Sequence, residues 1–142
     1  MTASSSMRIV HARSDENAAL VRRAYQAFNT SNIATLTRLF DSNVRWHTPG
    51  RSSIAGDRTG RDAVFTLFGR YGGETGGTFR INLLNVLESE DGRVVAVHQN
   101  SAPRRGRQLD VLCCVVFELE NGRILIGREH FNDLYAWDAF WS

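Results

Sequence analysis

The sequence contains no lysine, so all 17 of its basic side chains are arginines. Mechanisms that use a lysine Schiff base or a lysine amine as a base are therefore excluded. Long apolar runs are missing too: Val111–Phe117 falls far short of the roughly 20 residues that cross a bilayer. The 17 basic and 15 acidic side chains leave a net charge of +2, which is too balanced for a nucleic-acid-binding surface. We therefore expect a soluble protein with neither a nucleic-acid nor a membrane partner.

Cysteine is scarce, and the two cysteines, Cys113 and Cys114, are adjacent. On a strand their side chains would point to opposite faces, which disfavours a disulfide between them, so we expect buried free thiols. No basic stretch followed by an apolar one opens the chain, which predicts a cytoplasmic location. No metal-ligand spacing such as H-E-x-x-H occurs, so we expect neither a metal nor a cofactor.

The length of 142 residues predicts one domain, which we place at residues 14–142 after a flexible tail, residues 1–13. Three helices are expected in the first half. The first begins at an N-cap at Ser14 and carries apolar residues at helical spacing through Phe28. Asn32 caps the second, and Gly72 and Gly73 end the third. Only a short extended segment, residues 44–47, and a polar loop, residues 51–60, separate the last two helices.

The second half changes to a period of two, which predicts strands near residues 78–89, 93–100, 107–119 and 123–131. The pairs Asp91-Gly92 and Asn121-Gly122 are typical of hairpin turns, and residues 102–106 are expected to be an exposed loop. The aromatic C-terminal segment, residues 133–141, is expected to dock on the body with Asp133 as a helix cap. The result is an α+β fold: a curved, four-stranded antiparallel sheet around a long helix, with a ligand pocket at its mouth.

Seven local strings carry a family resemblance, at residues 21–28, 44–50, 55–64, 77–80, 106–110, 121–123 and 133–141. In this order they resemble the nuclear transport factor 2-like superfamily, and within it the SnoaL-like branch that includes ketosteroid isomerases and polyketide cyclases. The resemblance covers residues 14–141. It implies a cone-shaped, cystatin-like fold in which a mostly antiparallel sheet wraps a long N-terminal helix, with two further helices. It also implies a homodimer formed through the outer face of the sheet.

The resemblance assigns some catalytic positions. In the isomerases a tyrosine on the first helix donates to the developing oxyanion, and Tyr25 matches it; the alternative is a core aromatic. The isomerase base position falls on Thr48, next to His47, which can accept a proton near neutral pH. The position of the protonated aspartic acid falls on Cys113 or Val115, depending on the strand register. No acid stands at these positions, so most of the family's acid–base set is missing.

Other polar side chains are candidates for the pocket. His98 is a further catalytic candidate, and Asp110 forms an acid–base couple with Arg128 or His130 if these strands face one cavity. Alternatively, Asp110 caps a strand or pairs with Arg107 at the rim. The remaining candidate ligand contacts are the apolar side chains of Trp46, Phe65, Phe68 and Phe131. Cys113 and Val115, at the strand position described above, are candidates as well.

Two functions follow from these candidates. The first is the binding of an apolar or polycyclic small molecule, with cofactor-independent isomerisation, cyclisation or epoxide-hydrolase-type water addition. Tyr25, His47, His98 and Asp110 would be the catalytic residues. The second is a non-catalytic ligand-binding or dimerisation module of the same fold, which predicts a sealed apolar cavity without converging polar groups.

Overall fold

The computed structural model describes residues 2–142, with side chains from Glu16 onward. Within that range there are four helices, α1 Thr2–Asn29, α2 Ile33–Leu39, α3 Arg61–Gly73 and α4 Leu134–Trp141. The six strands are β1 Phe40–Thr48, β2 Gly56–Thr59, β3 Arg80–Glu88, β4 Val94–Arg104, β5 Arg107–Glu120 and β6 Arg123–Phe131. No helix within residues 2–142 combines the length and apolar character of a membrane span.

The strands form one mixed sheet in the order β2-β1-β6-β5-β4-β3, in which only β1 and β6 are parallel. The α+β class and the curved, mostly antiparallel sheet are confirmed, but the expected four-stranded meander has two more strands. The segment expected at residues 44–47 is the longer strand β1, in which Val44, Trp46 and Thr48 alternate inward. Strand β2 lies within the expected loop, residues 51–60, and none of its own four residues is buried.

The predicted N-cap of α2 and the predicted end of α3 are confirmed, whereas the predicted start of α1 is wrong. Asn32 accepts a hydrogen bond from the Thr35 amide and caps α2, as predicted. Helix α3 ends at Gly73, also as predicted. Helix α1 begins at Thr2, so Ser14 is not its N-cap. The side chains of residues 2–13 lie outside those described, and the flexibility of residues 1–13 stays a prediction.

The C-terminal segment docks as a fourth helix. Asp133 accepts from the Ala136 amide at 3.0 Å, and Trp137 and Trp141 are buried. The expectation of an exposed loop at residues 102–106 is wrong, because β4 continues through Arg104 and only two residues make the turn. Arg104 is buried. Its guanidinium donates a hydrogen bond to the Phe140 carbonyl oxygen at 2.8 Å, at the end of α4, which satisfies the buried group.

The concave face of the sheet carries the core against α1 and α3. Its inward side chains form rows across β4, β5 and β6, since paired residues share a face. One row joins Ala96, Val115 and Glu129, and the next joins His98, Cys113 and Phe131. The face is apolar except at a few positions, and those positions define the candidate site.

Candidate functional site

An inner cavity of about 50 Å³ lies between α1, α3 and the concave face of the sheet. Its wall is mainly aromatic and aliphatic, and includes Phe28, Phe40 and Phe117. Polar side chains also reach it: Tyr25, Tyr71, His98, Asn100 and Glu129. The volume suits one or a few water molecules. The cavity is therefore apolar and small, but several polar groups converge on it.

Glu129 is the carboxyl group of this cavity, and it is 4% exposed. Its Oε1 accepts three hydrogen bonds, from Trp46 Nε1 at 2.8 Å, Thr48 Oγ1 at 2.7 Å and Tyr71 OH at 3.0 Å. Its Oε2 has no hydrogen bond from any described residue. Burial raises the pKa of Glu129 above its usual value, and the three hydrogen bonds oppose that shift. Glu129 is thus a positioned carboxyl with one oxygen free.

Sequence reasoning missed Glu129, which stands at none of the positions that the resemblance assigned to an acid. The resemblance placed the acid at Cys113 or Val115, and Val115 is the cross-strand neighbour of Glu129. The neighbouring strand therefore supplies a carboxyl beside the vacant position. The alternation of Gly127, Glu129 and Phe131 on one face of β6 is the signal that could have identified it.

Tyr25 and His98, two of the predicted catalytic candidates, both line the inner cavity and meet there. The Tyr25 hydroxyl lies 2.7 Å from His98 Nδ1, and both side chains are buried. Burial lowers the pKa of His98 to about 4, although the neighbouring Asn100 side chain opposes the shift. Burial also raises the pKa of Tyr25. Both rings are therefore neutral at physiological pH.

Of the predicted ligand contacts, Trp46, Phe68 and Val115 line the inner cavity, and their contact with a ligand stays a prediction. Phe65 instead lines a second cavity of about 340 Å³ farther out, which we call the vestibule. The vestibule is bounded by α2, α3, the end of α1 and the start of β3. Phe28, Leu36 and Phe68 line both cavities, so these side chains form the wall between them.

The structure does not bring the other polar candidates to the inner cavity, because strand alternation points them outward. His47 pairs with Asp57 at 2.6 Å on the outer face of β1. Arg128 pairs with Glu118, and His130 is exposed. These outward positions rule out the predicted couple between Asp110 and Arg128 or His130.

Asp110, Cys113 and Phe131 lie apart from the inner cavity for different reasons. Asp110 is exposed and accepts from Gln99 Nε2 at 2.7 Å, so neither the rim pair with Arg107 nor the couple inside the cone forms. Cys113 is a fully buried thiol in the row between His98 and Phe131. Phe131 stacks on Trp137 with ring centroids 3.9 Å apart. Among the described residues, no three potential metal-ligating side chains cluster.

Comparison with known proteins gives a consistent family. A family profile described as "SnoaL-like domain" matches residues 21–126. An uncharacterised protein of Mycobacterium tuberculosis is 34% identical over 128 residues, which cover 90% of this chain and 98% of that protein. The similarity therefore extends over nearly the whole length of both chains.

Solved structures agree in fold. Bal32a, from a soil-derived mobile gene cassette, superposes with a TM-score of 0.90 at 62% identity, covering 92% of this chain and 99% of that one. IdmH of Streptomyces antibioticus, a candidate polyketide cyclase, superposes with a TM-score of 0.68 at 15% identity, covering 84% of this chain and 94% of that one. At the latter identity the likeness concerns the fold alone.

Proposed function

Since this chain belongs to the SnoaL-like domain family, we propose that it binds an apolar small molecule and catalyses cofactor-independent proton transfer on it, with Glu129 as the acid–base group. The observation that carries the proposal is the buried carboxyl at an otherwise apolar cavity, with one oxygen held by three donors and the other free. A carboxyl in such a place resembles the tuned acids and bases of enzyme sites more than a packing residue.

The ligand would occupy both cavities. The inner cavity of about 50 Å³ is too small for a polycyclic molecule, whereas the vestibule of about 340 Å³ lies within the usual range of ligand pockets. Phe28 and Phe68 separate the two spaces, with ring centroids 5.6 Å apart. Rotation of these rings would join the spaces, so that the apolar body lies in the vestibule and a smaller polar end reaches Glu129.

The chemistry requires only that Glu129 exchange a proton with the ligand. As a carboxylate, Glu129 takes a proton from an acidic carbon or from a hydroxyl group through its free Oε2, and it returns the proton at another atom. The donors on Oε1 hold the carboxyl in one orientation, and its raised pKa makes the return of the proton easier at neutral pH. Isomerisation consists of two such steps, whereas aldol-type cyclisation and water addition combine them with the formation of a C–C or a C–O bond.

A second candidate function is ligand binding without catalysis. The satisfied Oε1 atom and the mainly apolar wall favour it, because the network of Trp46, Thr48, Tyr71 and Glu129 also fixes β1, α3 and β6 to one another. In that case Glu129 stabilises the fold and never exchanges a proton with a ligand.

The base-catalysed ring opening of nitrobenzisoxazole separates the two candidates. In this reaction a base removes the ring C–H proton, the N–O bond breaks, and a coloured cyanophenolate forms without a cofactor. We expect turnover by the protein that rises with pH as Glu129 ionises, and at least a hundredfold lower rate for Glu129→Gln. Glu120→Gln, which changes an exposed carboxylate in the same way, is the matched control. Equal rates for all three proteins would favour binding without catalysis.

We also propose a homodimer through the outer face of the sheet. Val95, Val97, Leu112, Cys114 and Val116 line this face and are only half-buried in the single chain. Such a continuous apolar patch is typical of subunit contacts. Light scattering at micromolar concentration is expected to give the mass of two chains, and Val97→Arg the mass of one. A single-chain mass for the unaltered protein contradicts this proposal.

The free thiols of Cys113 and Cys114 support a reducing compartment such as the cytoplasm.

A further inference from the structure

Asn100 carries a donor that nothing in the described part of the chain satisfies. The residue is 1% exposed, lies on β4 two positions after His98, and lines the inner cavity. Its Nδ2 atom is buried and has no hydrogen-bond partner among the described residues. Buried amide groups are nearly always paired, so an unpaired one at a cavity wall points to a partner that the cavity receives.

Tyr25 and His98, which also line the inner cavity, hydrogen-bond each other. The Tyr25 hydroxyl lies 2.7 Å from His98 Nδ1. Each of these two groups therefore has a partner inside the protein, whereas the Asn100 amide nitrogen has none among the described residues.

The contact with His98 engages the Tyr25 hydroxyl within the protein, whereas the resemblance implied that this hydroxyl donates to a ligand. Asn100 keeps both Nδ2 hydrogens unused at the cavity wall. Among the described residues that line the inner cavity, its amide is the buried donor without a partner.

We propose that Asn100 determines ligand specificity by donating from Nδ2 to an uncharged acceptor oxygen, such as a ketone carbonyl, on an otherwise apolar ligand. The inference rests on the proposed function only in that an apolar molecule must enter the cavity; it does not depend on catalysis by Glu129. An apolar wall with one oriented donor selects between ligands of equal shape that differ in a single oxygen.

Fluorenone and fluorene are suitable probes because they have nearly the same planar shape and differ by a carbonyl oxygen. We expect the unaltered protein to bind fluorenone about five- to tenfold more tightly than fluorene, as one additional neutral hydrogen bond implies. Asn100→Leu, which keeps the side-chain size and removes the donor, should abolish that preference while leaving the affinity for fluorene unchanged. Asn82→Leu, at an exposed position on β3, is the matched control.

A second measurement does not depend on how well the variant folds. The infrared carbonyl stretch of fluorenone bound to the unaltered protein should lie at lower wavenumber than in an alkane solvent, because the carbonyl accepts a hydrogen bond. An unshifted stretch, or equal affinities for the two probes, overturns the role of Asn100 and leaves ligand binding intact. Failure of both probes to bind overturns the proposed apolar ligand, and this inference with it.

Discussion

Acidification should destabilise the fold through His98, which is buried as a neutral imidazole. The pKa of His98 is lowered from 6.5 to about 4, because burial disfavours the charged ring. Between these two values the unfolded chain binds a proton that the folded chain does not. The free energy of unfolding therefore falls as pH decreases from 6.5 towards 4. Above pH 6.5 the imidazole is neutral in both the folded and the unfolded chain, so this loss of stability is absent there.

The size of the effect follows from the shift. A difference between 6.5 and about 4 corresponds to about 3 kcal/mol of unfolding free energy, at roughly 1.4 kcal/mol per pKa unit. Glu129 acts in the opposite direction: its pKa is raised, so its contribution falls as pH rises through and above 4.5. Comparison with a His98 variant is needed to separate the two, because Glu129 is present in both proteins.

Urea unfolding of the unaltered protein and of His98→Gln at a series of pH values makes this comparison. Glutamine keeps an acceptor for the Tyr25 hydroxyl but cannot titrate. We expect the stability advantage of the unaltered protein at pH 7 to shrink by about 3 kcal/mol at pH 4. A difference that stays constant between pH 7 and pH 4 would show that the imidazole is not buried in the neutral form and would refute the reasoning.

Two further predictions concern packing around the site. Gly127 lies against the Trp46 ring, which a Cβ would overlap, so Gly127→Ala should cost about 1–3 kcal/mol in urea unfolding. Gly69→Ala, on an open helix surface, should be neutral or stabilising; equal effects would show that the Trp46 contact is not tight. Arg104→Met should cost about 2 kcal/mol and shift tryptophan emission to longer wavelength, because the guanidinium bonds the end of α4. The exposed control Arg22→Met should change neither quantity, and an unchanged Arg104→Met would mean that α4 docks without it.

The second half of the fold was predictable because local signals agree there. Apolar and polar residues alternate at the start of β3, Val111–Phe117 is a continuous apolar run within β5, and glycine turns separate β3 from β4 and β5 from β6. Strand β2 could not be found in this way, because a short edge strand without buried residues has no apolar period. The burial of Arg104 could not be predicted either, since its acceptors Glu74, Phe140 and Ser142 lie 30 to 38 positions away in the sequence.

The site was predictable only in part. Tyr25 and His98 were identified, but their contact joins residues 73 positions apart and depends on how α1 crosses the sheet. Glu129 was missed because it lies between Arg128 and His130, in a polar string that hides its inward direction. His47 and Asp110 were chosen for their chemistry, whereas the pleat of the strands decides which side chains reach the cavity.

The titration of Glu129 tests the central claim most directly. Carbon-13 NMR of the side-chain carboxyl, assigned by comparison with Glu129→Gln, should give a midpoint above the ordinary value of 4.5. Saturation with nitrobenzotriazole, a planar analogue of the test substrate that cannot ring-open, should raise the midpoint further, because a bound ligand excludes water from the carboxyl. A midpoint at 4.5 that the analogue does not change would contradict the assignment of Glu129 as a buried acid–base group at a ligand cavity.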